Sequence, residues 1–397
     1  MIILPHREKR AFYLPVLMLG IYFISVIGCK SPGSEKATPT GNAPAERIAA
    51  HDSAVHILDD WIRDPYIYLA DDGYYYLTGT TVQPNDPREA SEPYNTGLPA
   101  TSSENQTTPS MVGHSIRVWR SPDLADWEYM GEPFTLDQGY WAQTDAAAFA
   151  DTPKEEWHLW APELYQVDGR WVYVHTTPAP VQGGANLAIT TGASPDGPFT
   201  FPLEANMRGK HDPSLFRDVD DSWYLLWGNT QIVPLKAGFS GLAGEAKRID
   251  PADRKIGHEG ATLRKIGDKY VHFGTAWSTD QMRKGSYNLY YCTSDSVMGS
   301  YGPRQFAGRF LGHGTPFQDK QGRWWCTAFF NANVPPLDGA GIEHKDLGST
   351  AQTINEKGTT LVPLEVRILD DGEIFIRAKD PRYRNPGPDE AQEFTRE

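Results

Sequence analysis

The sequence predicts an all-β fold, a five-bladed β-propeller of four-stranded antiparallel blades. Three observations carry the prediction. Short runs rich in Tyr, Trp, Val and Leu recur along the 397 residues, with 12 Trp and 19 Tyr, while amphipathic runs at helical spacing are scarce; that composition favours strands. One phrase occurs five times: a polar or acidic start, an apolar strand, a turn containing Asp or Gly, and a second strand rich in aromatics. Its later copies return about every 50 residues, the period of architectures whose unit is one small sheet. A long sandwich or a pair of barrels does not require five Pro-containing opening strands, whereas a ring of small sheets leaves only short, protected edges.

Taken in order, residues 1–28 read as an export signal. His6, Arg7, Lys9 and Arg10 precede the apolar run from Ala11 to Ile27, which is shorter than the ~20 residues a spanning helix needs. Its end, Val26-Ile27-Gly28-Cys29, resembles a bacterial lipobox. Lipidation of Cys29 and attachment to the bacterial cell envelope, periplasmic or surface-exposed, are expected from it. Residues 29–50 contain a stretch rich in Ser, Pro, Gly, Thr and Ala and read as a flexible tether.

The propeller is expected over residues 51–380. The repeat openings are Arg63-Asp64-Pro65-Tyr66, Trp160-Ala161-Pro162-Glu163, His211-Asp212-Pro213-Ser214, His258-Glu259-Gly260-Ala261 and His313-Gly314-Thr315-Pro316. Each is followed by a turn and an aromatic strand, such as Tyr74 to Leu77 or Trp171 to Val174. The first interval is longer because Val82 to Gly113, rich in Asn, Pro, Ser and Thr, reads as an inserted loop that narrows the central depression. Leu361 to Ala378 is expected to close the ring. Residues 381–397 form a polar tail expected to fray.

The formal charge of −14 disfavours nucleic acid, which needs clustered Lys and Arg. It argues against a heavily sulfated substrate unless a local basic pocket overrides it. Cys292 and Cys326 lie in separate apolar segments without CxxC spacing and read as buried free thiols.

In a propeller the first strand of each blade lines the axis, so Asp64, Asp212 and Glu259 are expected to converge in one depression. An acid and a base facing each other across a sugar make a glycosidase. The segments around these three acids, with Trp160 to Glu163 between them, resemble glycoside hydrolase family 43 and its relative family 117 from about Ile57 to Ala378. That resemblance implies Asp64 as the general base, Asp212 as the residue that tunes the acid and orients substrate, and Glu259 as the proton donor, with inversion at the anomeric carbon. The triplet Gly257-His258-Glu259 looks more like family 117 and makes His258 a rival acid. A carboxylic acid in a dry pocket is readily kept protonated, which favours Glu259.

The resemblance also places His313 where a histidine helps to hold a central metal or water cluster. No cofactor is required; a structural metal such as calcium at the axis is the one expected candidate. Tyr66, Trp160 and Trp277 are candidate sugar contacts, as are His211 and Glu163. The expected partner is a carbohydrate, of arabinoside, xyloside or marine galactan type, attacked at chain ends. A non-catalytic carbohydrate-binding propeller is the rival, and the intact acidic trio argues against it. A lyase or phosphorylase would need a cluster of bases, for which Arg63, Arg117 and Lys210 are too scattered.

Overall fold

Each opening phrase becomes the innermost strand of a sheet. A computed structural model describes residues 43–395 except 84, 92–110, 256, 280, 333, 339–346 and 349. The proposed lipidation site Cys29 and most of the inserted loop lie outside the described residues. The inner strands are Ile62–Leu69, His158–Val167, Ser214–Arg217, Glu259–Ile266 and Pro316–Gln318, and we number the blades one to five accordingly. The second strands are Tyr75–Thr81, Arg170–Ala179, Trp223–Trp227, Lys269–Trp277 and Trp324–Phe329. Third strands follow at Ser115–Ser121, Gly184–Thr190, Gln231–Pro234, Gly285–Ser294 and Thr359–Ile368. All these pairings are antiparallel.

Local chemistry sets the hairpins. Asp168 and Gly169 both take positive φ, 50° and 72°, as a two-residue turn matched to strand twist requires. In blade one the Asp72 carboxylate accepts from Tyr74 N at 2.9 Å and holds the turn before the second strand.

Blades one to four end in Glu128–Thr135, Phe199–Thr200, Lys247–Arg248 and Gln305–Gly308. Blade five takes its outer strand from the other end of the chain. Val55–Leu58 pairs antiparallel with Thr359, Thr360 and Leu361, so the ring is closed by the N-terminal strand. Leu361 to Ala378, expected to close the ring, supplies most of the third strand and the flanking strand Ile374–Ala378.

The apolar core lies between neighbouring blades. Tyr76 and Ile116 meet Leu164 and Tyr173 between blades one and two. Val172 and Leu187 meet Leu225 and Val233 between two and three. Phe216 and Leu226 meet Leu263 and Cys292 between three and four. Phe273 and Leu289 meet Cys326 and Val362 between four and five, and Phe317 and Trp325 meet Ile67 and Trp119 across the closure. Cys292 and Cys326 are buried free thiols, as expected from the sequence.

Three segments differ from expectation. The end of the expected tether is structured, since Pro44–Ala50 is a helix that buries Ile48 against the closure. The connection between blades one and two folds into short helices, Tyr140–Thr144 and Ala146–Asp151. The tail docks on blade four instead of fraying. The Asp389 carboxylate takes hydrogen bonds from Ser278, Arg309 and Ser286, Glu390 accepts from Tyr290 at 2.7 Å, and the Phe394 ring packs on Tyr290 and Phe306.

Candidate active site

The inner strands carry a repeated irregularity that builds the site. In blades one, two and four the pairing with the second strand slips between Arg63 and Tyr66, Trp160 and Glu163, and Glu259 and Thr262. One residue of each bulge, and its counterpart in blade three, takes positive φ: Asp64 at 52°, Ala161 at 42°, Asp212 at 46° and Gly260 at 58°. A bulge breaks the alternation of side chains along a strand. Consecutive residues therefore face the cavity, Arg63 with Asp64 and His211 with Asp212.

The three acids do not occupy equivalent positions in their strands. Asp64 and Asp212 occupy the positive-φ position, whereas Glu259 stands one place earlier. It pairs with Thr275 as Arg63 pairs with Thr80 and Trp160 with Thr176. Gly260 fills the positive-φ place in blade four. A Cβ there would overlap the His313 ring, so glycine is required on both conformational and steric grounds.

Threonines stitch the bulges together. Thr80 donates from Oγ1 to Asp64 Oδ2 at 2.8 Å and accepts from Ala161 N of blade two at 2.7 Å. Thr176 accepts from Asp212 N of blade three at 2.8 Å. Thr327 donates to Pro65 O of blade one at 2.6 Å. Each hydroxyl ties one blade to a positive-φ residue or its following proline on the next.

Asp64, Asp212 and Glu259 line one cavity of about 450 Å³ with Trp160, His211, Trp277 and His313. Tyr287 donates its hydroxyl to Glu259 Oε1, and its ring stacks on Trp277 with centroids 4.7 Å apart. His211 Nε2 lies 3.2 Å from Asp212 Oδ2, the imidazole about half exposed and the carboxylate 10% exposed. His313 Nδ1 lies 3.3 Å from Asp64 Oδ1. Burial pulls the His313 pKa down, but Asp64, Asp212, Glu259 and Glu163 together outweigh it and raise it above the usual value, so the ring holds its proton to higher pH.

Three expected site residues lie elsewhere. His258 is fully buried, because the residue before Glu259 faces the opposite side of the strand. Its ring stacks edge-on against His272 with centroids 4.7 Å apart, and burial pushes its pKa far down. It is a neutral interior imidazole without access to the cavity. Tyr66 is buried against Tyr165 and is core. Glu163 does not line the cavity either; it accepts from Tyr165, and burial pushes its pKa up to about 7.

The site also contains residues the motifs did not indicate. Arg283, Lys255, Asn331, His158 and Tyr287 line the cavity. Arg283 and Tyr287 come from the approach to, and the start of, blade four's third strand, where nothing in the sequence separates a cavity-facing side chain from a packed one. Arg117 and Lys210 are engaged elsewhere, Arg117 with Glu89 and Lys210 over the Trp227 ring.

For the expected axial metal the protein supplies His313. Its ring offers a nitrogen, but among the described residues no three His, Cys or carboxylate ligand atoms gather there. The one such group is His258, His272 and Cys292 inside blade four, with ligand atoms within 4.8 Å of one another.

The family model for glycosyl hydrolases family 43 matches residues 56–344. Among solved structures, the chain resembles an endo-1,4-β-xylanase from Bacteroides thetaiotaomicron at 20% identity and TM-score 0.51, over 80% of this chain and 95% of that one. The family 43 protein BlXynB from Bacillus licheniformis matches at 19% identity and TM-score 0.54, over 87% and 60% of the two chains. An exo-1,5-α-L-arabinanase from a bovine ruminal metagenomic library matches at 17% identity and TM-score 0.50, over 82% and 98%. No curated protein matches.

Proposed function

Because this chain belongs to glycoside hydrolase family 43 and is a glycosidase, we propose that it acts at the ends of short or long glycans with inversion, using Asp64, Glu259 and Asp212. The observation that carries the reading is the convergence of these three carboxylates, from three blades, on one cavity. Its volume of about 450 Å³ is that of a small-ligand cleft, which favours a terminal sugar over the middle of a chain.

In this reading Asp64 removes a proton from a water as its oxygen bonds to the anomeric carbon. Thr80 and His313 hold the Asp64 carboxylate, so the base meets the water without reorganising. Glu259 delivers its proton to the glycosidic oxygen as the carbon–oxygen bond breaks; the Tyr287 hydroxyl on Oε1 fixes that carboxyl and leaves Oε2 to face the leaving group. Asp212, held beside His211, orients the sugar. Trp160 and Trp277 offer ring faces to it.

Hydrolysis of arabinan, xylan, agar and ulvan oligosaccharides, with NMR of the anomer first released, tests the proposal. Asp64→Asn and Glu259→Gln are expected to lose activity by about 10²-fold or more. Full activity in either variant, or release of the retained anomer, overturns the corresponding role. Silence across the panel with glycan binding intact favours the non-catalytic reading. Envelope anchoring through Cys29 belongs to the same proposal, and labelled palmitate that is incorporated equally by Cys29→Ala would remove it.

A further inference from the structure

The cavity that holds three carboxylates is also walled by three cations, Arg63, Lys255 and Arg283. The chain as a whole carries 51 acidic against 37 basic residues, so cations gathered at one place run against its composition. Glu259 and Asp64 act on Arg283 at longer range, but no close ion pair forms. Among the described residues, none of the three lies within 4 Å of a carboxylate. Elsewhere many of the cations do, as Arg117, Arg309 and Lys269 show.

Arg283 is the most telling. It sits at a positive φ of 57°, a costly conformation for a side chain of this size, and is largely desolvated. Burial and then the neighbouring Arg63 charge bring its pKa down to about 10. Arg63 donates to Asn331 Oδ1 at 3.0 Å and lies over the Phe329 ring, which fixes it in the wall of the cavity that Arg283 also lines. The Arg63 charge disfavours the Arg283 cation, and Tyr287, Glu259 and Asp64 each offset it less. An oxyanion placed there would remove that cost and accept hydrogen bonds from both.

We propose that Arg63, Arg283 and Lys255 form a subsite for an anionic group on the glycan, a carboxylate or a sulfate ester. The inference rests on the glycosidase reading for the class of ligand and names what that reading leaves open, the charge of the substrate. It reverses, at this one place, the expectation that an acidic protein avoids charged glycans.

Calorimetry on the folded Glu259→Gln protein tests it with three oligosaccharide sets of matched length, neutral, uronate-containing and sulfated, at low and high salt. One anionic set is expected to bind about 10-fold more tightly than the neutral set, equivalent to one charge-assisted contact, with the advantage shrinking as salt rises. Adding Arg283→Gln should abolish most of that preference while neutral binding persists. Lys255 is exposed, so Lys255→Gln serves as a second variant that keeps the fold, and it should lower the preference in part. Which anionic set wins identifies carboxylate or sulfate.

Equal affinity for all three sets, or a preference unchanged in both variants, overturns the proposal. Wild-type hydrolysis separates the two readings. Tight binding of an anionic set with no cleavage would keep the subsite and refute the catalytic roles. Cleavage of neutral glycans as fast as charged ones, with no charge preference in binding, would do the reverse.

Discussion

Gly260 has no room for a side chain, because a Cβ there would overlap the ring of His313. Gly260→Ala would combine a positive φ with overlap on the imidazole. We expect it to cost about 2 kcal/mol or more in stability and to depress kcat by displacing His313 from Asp64; denaturation midpoints and steady-state kinetics check both. Glu163 supplies a pH signature. Its carboxyl is raised from 4.5 to about 7, so between those values the folded protein holds a proton that the unfolded chain has released. Stability attributable to this group therefore falls as pH rises from 4.5 towards 7. Glu163→Gln should gain on the wild type across that interval, by at most about 3 kcal/mol, as urea titrations at pH 4.5 and 8 would show. At this scale the sequence spoke clearly where a residue type was unusual for its place. Asp64 and Asp212 stood out before proline, and Glu259 before glycine. His258 and Glu163 were equally conspicuous, yet strand alternation and the bulge turn them away from the cavity, and neither effect leaves a mark in the residue types.

Among the elements, the tail departs most from its polar composition. Asp389 is fully buried and Arg309 is 3% exposed, a charged pair also bonded to Ser278 and Ser286. Breaking such a pair strands a buried charge, so Asp389→Ala is expected to destabilise the protein by about 3–5 kcal/mol, measurable by chemical denaturation. Because Ser278 follows Trp277 directly, the same variant should loosen the cavity wall and raise KM more than it lowers kcat. The inner and second strands were legible, since a recurring phrase with a turn at its centre specifies a hairpin without long-range information. Outer strands were less so: Phe199–Thr200 and Lys247–Arg248 are two residues each, too short for any period. The helices between blades one and two escaped notice for a related reason, as five- and six-residue segments carry less than two turns of pattern.

Taken as a whole, the ring depends on Val55–Leu58 meeting a strand some 300 residues later. Val55 is completely buried, so Val55→Asp would place an unpaired carboxylate at the closure. We expect its thermal unfolding to lose its single cooperative step, with blade five melting first; calorimetry compared with hydrogen exchange would show it. Five blades could be counted in advance, but the partner of the last could not, because Val55 to Leu58 reads as an ordinary apolar run until the ring brings it home. The bulges have a consequence of another kind. They set two backbone positions side by side at each opening, one held by Arg63, Trp160, His211 and Glu259, the other by Asp64, Ala161, Asp212 and Gly260. Backbone geometry and threonine stitches hold these seats whatever side chain fills them, so descent could retune charge and chemistry by exchanging single occupants. Ala161 is the vacant chair: it holds in blade two the positive-φ position that Asp64 and Asp212 hold in theirs, without an acid.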